Sequence, residues 1–183
     1  PLSESTLDRV RSFGAEAQPL VEQNRFTVLV RDIVPGEDLV KALGAYGRIL
    51  NPPHFAVPYI VWKVHPLVDL RYRTQQIVVQ MAQFGIGCCY IGALDQETTL
   101  RARFVLRRSA RMGAILLFGR PASAIGGRTI NAVMRTALGS TRRLPIDRIF
   151  FRDAFDGSDL PSEEVLPLIT AARQAPSAYN VQP

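Results

Sequence analysis

From Leu67 to Phe84 the apolar residues Leu70, Ile77, Val78 and Met81 recur at helical spacing, and Gly85 stops the run. Gly87-Cys88-Cys89-Tyr90-Ile91-Gly92 follows almost at once, and Cys88 to Ile91 reads as short and extended. This junction constrains the fold more than any other stretch. A long helix that passes through a glycine turn into a strand needs a sheet for the strand to join. The chain is therefore read as a mixed α/β order.

The remaining elements fit that order. Leu2 to about Phe13 reads as a helix with Ser3 near its start, and Arg25 to Arg31 as a strand. Asn51-Pro52-Pro53-His54-Phe55 is a breaker, and Val57 to Trp62 a second strand, with Pro58 limiting how central it can be. Thr98 to about Ser109 is expected as a shorter helix, and Gly113 to Phe118 as a buried strand. Arg128 to Leu138 could be helical, and Gly139 to Asp159 reads as a long surface connection. The last helix begins near Ser162, and Pro167 should kink or delay it.

Bulk properties narrow the class. A chain of 183 residues bounds one domain, expected over 1–183, long enough to bury a real core. No apolar run is long enough to span a bilayer, and no basic-then-apolar leader is visible, so no membrane partner is expected. Pro1 is not a natural translation start, and the domain is expected to be truncated at both ends. The 2 cysteines, Cys88 and Cys89, are adjacent and offer no disulfide framework, which makes a reducing cytoplasm the expected location. They are read as two small packing residues. His54 and His65 are isolated and flank prolines, and are read as core or surface histidines rather than metal ligands.

The formal net charge is +6, and Arg101, Arg103, Arg107, Arg108 and Arg111 form the densest basic cluster. At near-helical spacing they could make a solvated face or a phosphate stripe. No zinc-finger spacing, aromatic-basic RNA signature or helix-turn-helix pattern accompanies them, so nucleic acid is not expected as a partner.

The chain closes on Pro176-Ser177-Ala178-Tyr179-Asn180-Val181-Gln182-Pro183, of the form P-S-A-x-N-x-Q-P. Small and polar residues set tightly after a helix suit close backbone approach to a planar ligand. On local physics alone, a helix end running into a proline-punctuated turn is the favoured reading.

Ala175 to Pro183 resembles the flavin-contacting signature of the nitroreductase family, where Trp and a strand normally follow. Thr74 to Gly92 resembles that family's central helix and its Gly-x-Gly-x-x-[Trp/Tyr]-Ile-Gly turn, and Ala114 to Pro121 its next strand with a terminal Gly-x-Pro. In most members the P-S-A-x-N-x-Q-P motif lies near the N-terminus; a divergent branch places it late, as here. The resemblance implies an α+β fold with a mixed, largely antiparallel sheet flanked by helices. It also implies FMN as cofactor, NAD(P)H as reductant, and nitroaromatics or quinones as small-molecule electron acceptors. The implied cycle is two-step: NAD(P)H reduces the flavin and leaves, and the acceptor takes its place. The flavin carries the chemistry, so no catalytic side chain and no metal are expected.

Site residues follow from the same resemblance. Pro176 and Ser177 would meet the flavin ring, Asn180 the ribityl or pyrimidine edge, with Gln182 in support. Backbone N–H groups at Gly85, Gly87 and Gly92 could approach the ring, since glycine has no Cβ. A plain helix stop and tight turn is the other reading of those glycines. Ser140 to Pro145 resembles the family's basic-Leu-Pro phosphate segment, which puts Arg142 and Arg143 on the phosphate. A solvated arginine pair remains the alternative. Tyr90 takes a packing role.

Residues 1–13 also resemble 160–172: Ser3, Glu4, Leu7 and Val10 match Ser162, Glu163, Leu166 and Ile169. Read as a weak internal repeat, the first copy has lost its flavin motif. Typical members are intertwined homodimers, so the chain is expected to be a pseudo-dimeric monomer, or else a homodimer. The function expected is that of an FMN-dependent NAD(P)H oxidoreductase; the alternative is a degenerate relative without catalysis, a flavin-binding or regulatory module.

Overall fold

The computed structural model describes residues 1–33, 52–61, 64–92, 97–121, 136, 142–155 and 159–175. It divides into two compact units, Pro1–Pro121 and Ala122–Pro183, each taken by itself below.

The first unit opens on helix α1 (Glu4–Glu16), capped where expected: the Ser3 hydroxyl accepts the Thr6 N–H at 3.3 Å. Strand β1 (Arg25–Asp32) and strand β2 (His54–Val61) follow, then helix α2 (Pro66–Gln83) and strand β3 (Gly87–Gly92). Helix α3 (Glu97–Arg103), strand β4 (Ala110–Met112) and strand β5 (Ala114–Gly119) complete the unit. The strands form one sheet in the order β1-β2-β5-β3, with β4 also beside β2, and every pairing is antiparallel.

Alternation along the strands gives the sheet two apolar faces. On one, Val30, Ala56, Leu116 and Phe118 pack with Leu7, Val10 and Phe13 of α1 and Ile77 and Met81 of α2. On the other, Phe55, Val57, Ile115 and Leu117 pack with Leu100 of α3. A sheet covered on both sides must have nearly all-apolar central strands, and β2 is buried from His54 to Pro58.

Three expectations are corrected here. The second strand starts at His54, not Val57, and it is central despite Pro58, flanked by β1 on one side and by β4 and β5 on the other. The ladder explains how. Between the Ala56↔Leu116 and Tyr59↔Met112 pairs, β2 carries Val57 and Pro58, whereas the facing chain carries Gly113, Ala114 and Ile115. That extra residue is a bulge. The regular ladder is therefore already interrupted opposite the residue that has no N–H to give. The third helix also ends early, at Arg103, because Val105 adopts φ +50° and the chain turns into the unforeseen short strand β4.

In the second unit, Pro145 leads into a 3-10 turn over Ile146–Arg148, within the expected connection. Helix α4 (Leu166–Arg173) starts one turn after Ser162 with Pro167 in its first turn, the delay expected of that proline. The Arg128–Leu138 helix lies outside the described residues except for residue 136, which is helical.

Candidate functional site

The α2–β3 junction is closed by main-chain hydrogen bonds. Gly85 sits at φ +68°, its N–H donates to Ala82 O at 3.0 Å, and the Ile86 N–H donates to Met81 O at 2.9 Å. This is a Schellman ending, in which glycine takes the left-handed position and the residues at its hydrophobic contact, Met81 and Ile86, join the core. The Gly85 amide is thus committed to the helix, so any part it has beside a flavin comes from its bare backbone, not from its N–H.

The three glycines serve different ends. A Cβ on Gly87 would stand 3.3 Å from Pro121 Cγ and 3.6 Å from the Gly119 carbonyl, a close strand-to-strand fit. At Gly85 and Gly92 a Cβ would meet no atom within 4 Å, so bare backbone there borders open space. That openness suits a planar ring. Gly87 and Gly92, however, stand at opposite ends of β3, about 17 Å apart at the usual strand rise. They cannot act on one ligand atom together.

The strand between them is half-buried. Burial pushes the Cys88 and Cys89 thiols up from their ordinary value, so neither is disposed to act as a thiolate. Both are free and half-buried, in keeping with a packing role. Tyr90 packs against the core that α1 and α2 build, and its hydroxyl donates to Gln75 Oε1 at 3.0 Å. Its phenol is pushed up to about 12, by burial first and by the neighbouring Cys88 second.

In the second unit, Arg142 is exposed and Arg143 half-buried, in the extended segment before the 3-10 turn. Arg173, in the last turn of α4, donates from Nε to Leu144 O at 2.6 Å and from Nη2 to Arg143 O at 3.4 Å. Arg143 Nη2 reaches back to Gln174 O at 3.5 Å. The structure therefore brings the expected phosphate arginines beside the end of α4, from which the closing motif departs. Pro176, Ser177, Asn180 and Gln182 themselves lie outside the described residues.

Sequence reasoning missed the buried polar cluster around Asp69. Asp69 is fully buried, accepting from Leu20 N–H at 2.8 Å, Arg73 Nε at 3.1 Å and Asn24 Nδ2 at 3.2 Å. Burial pushes its carboxyl up, but the hydrogen bonds from Arg73, Leu20 and Asn24 outweigh this and hold it below the ordinary carboxylate value. The Asp69–Arg73 spacing of a helical ion pair was the signal available. His54, buried, accepts the Leu2 N–H on Nε2 at 2.8 Å, so its ring proton sits on Nδ1, 2.6 Å from Asp32 Oδ1. It is a core histidine, and His65 is exposed, as expected of the pair.

The basic cluster is partly structural. Arg101 bonds Glu97 and the carbonyls of Ala110 and Arg107, and Arg111 lies 3.7 Å from Glu97. No group of three or more His, Cys, Asp or Glu residues that could hold a metal occurs among the described residues, and no helix among them is long and apolar enough to cross a membrane.

Solved structures share this architecture. Nitroreductase A from Vibrio parahaemolyticus RIMD 2210633 superposes with a TM-score of 0.61 at 16% identity, over 94% of this chain and 78% of its own. NfrA1 of B. megaterium gives a TM-score of 0.61 at 16% identity, over 94% and 73%. An FMN-dependent nitroreductase from Clostridium difficile R20291 gives a TM-score of 0.53 at 16% identity, over 65% and 76%. No curated protein sequence matches the chain. The fold is thus the α+β nitroreductase fold, with an antiparallel sheet between helices. Residues 48–183 match the family model described as "Putative TM nitroreductase", and the chain belongs to that family.

Proposed function

We propose that this protein is an FMN-dependent NAD(P)H oxidoreductase that passes hydride equivalents to nitroaromatic or quinone-like acceptors. The observation that carries the reading is the family match over residues 48–183, which takes in the Gly85–Gly92 turn, the Arg142–Arg143 segment and the closing motif. FMN dependence is in the name of one structural neighbour, and the bare backbone at Gly85 and at Gly92 borders open space that a ligand could occupy.

Bound FMN would supply the hydride chemistry. The chain's own residues have narrower tasks. Gly85 and Gly92, at the two ends of the turn and strand, would leave room for different parts of the ligand, and Gly87 holds β3 tight against β5. Pro176 and Ser177 would lie on the ring, with Asn180 and Gln182 at its polar edge. Arg142 and Arg143 would hold the phosphate through guanidinium N–H groups. A cytoplasmic location goes with two free cysteines.

The quaternary reading is a pseudo-dimeric monomer with one flavin, resting on the weak repeat between residues 1–13 and 160–172.

The test is optical. A purified protein that is yellow and bleaches on adding NAD(P)H supports the enzyme. A colourless protein that cannot be reconstituted with FMN overturns it in favour of a degenerate, non-catalytic relative. A tight homodimer carrying two flavins would sink the pseudo-dimer.

A further inference from the structure

We propose that Arg173 is the positioning residue that sets the phosphate-binding segment against the root of the flavin-contacting motif. The inference rests on the functional reading above and adds a residue to it.

The geometry is a reciprocal clasp. From α4, Arg173 holds Leu144 O at 2.6 Å and Arg143 O at 3.4 Å, while Arg143 reaches the Gln174 carbonyl at 3.5 Å. The shortest of these contacts belongs to Arg173. A guanidinium presents its N–H groups as a rigid planar fork, so two successive carbonyls can be gripped at once. One of those carbonyls belongs to Arg143, expected to carry a phosphate side chain, and the other to the residue after it. Gln174, two residues before Pro176, caps α4, and a cation at a helix C-terminus is favoured by the unpaired carbonyls there.

Phosphate and ring are parts of one ligand, so the groups binding them must keep a fixed spacing. A link between the two segments lowers the ordering that binding would otherwise require. Arg173 acts through the main chain of Arg143 and Leu144; it is not a catalytic residue.

The experiment compares FMN with riboflavin, which lacks the phosphate, by titration of the full-chain apoprotein. Arg173→Ala should weaken FMN about tenfold or more, the worth of a charge-assisted hydrogen bond, and riboflavin far less. In an Arg142→Ala background the Arg173→Ala loss should shrink, because Arg173 acts by placing the segment that carries Arg142. Equal losses for the two ligands would reduce Arg173 to a general structural role and overturn the proposal. Arg173→Lys keeps the charge without the fork. A loss like that of alanine supports the clasp, whereas full FMN affinity would show that charge alone suffices and overturn it. Should the unaltered protein bind neither ligand, the flavin reading itself falls. Should it bind FMN with Arg173→Ala unchanged, only the positioning role falls.

Discussion

Gly119 packs directly against Pro53: a β-carbon on the glycine would stand 2.7 Å from the proline Cδ and 2.9 Å from its Cγ. Both atoms belong to a stiff ring that cannot swing aside. Gly119 also pairs with Gly87, so the contact reaches the strand that leads from the candidate ring site. Gly119→Ala is expected to destabilise the fold by about 1–3 kcal/mol, the usual range for overpacking. Urea unfolding with an unchanged m-value is the check.

Gly85 gives a contrasting case. A side chain there would meet nothing, so its only penalty is the backbone at φ +68°. Gly85→Ala should lose about 1 kcal/mol. Gly85→Asn should lose less, since asparagine tolerates the left-handed region. If the two variants lose equally, backbone strain is not the cause.

Asp69 predicts a pH dependence. Its carboxyl is held below the ordinary value of 3.8, so the folded state gives up the charge less readily than the unfolded chain does. The stabilisation is complete above that ordinary value and is lost as pH falls through the lower folded value. Asp69→Asn should remove about 3 kcal/mol at neutral pH, because Arg73 stays buried without its counter-ion. It should also flatten the acid limb of a stability-against-pH curve. An unchanged acid limb would point to other carboxylates.

For the cofactor, Asn180→Ala should weaken FMN and riboflavin by the same factor, about tenfold for one lost hydrogen bond to the shared ring and ribityl chain. A loss confined to FMN would move Asn180 to the phosphate.

Legibility in the sequence followed the range of the interaction. Helix α1 with its Ser3 cap, strand β1, helix α2 with its Gly85 stop and the delay at Pro167 all depend on residues within a turn or two, and all could be read directly. Strand β4 is 3 residues long, too short to carry a period, and exists because β2 offers it an edge. The burial of Pro58 in a central strand, and of His54 between Asp32 and Leu2, depends on partners far along the chain. Of the candidate site, the glycine turn was visible as a helix stop. The link from Arg173 to Leu144 was not, because one partner is a main-chain carbonyl, which every residue possesses.

The bulge at Gly113 bears on what distinguishes the two sides of the sheet. Met112 clusters with Ile115 and Leu117 beneath α3, although strict alternation from Leu116 and Phe118 would place it with them on the opposite side. One additional residue reverses the parity of everything before it. A chain that kept Gly113 but paired without the bulge would keep its whole apolar inventory, yet Met112 would turn toward α1 and α2 and Arg111 toward α3. The side of the sheet on which a residue of β4 lands is thus set by a residue count, not by any side chain.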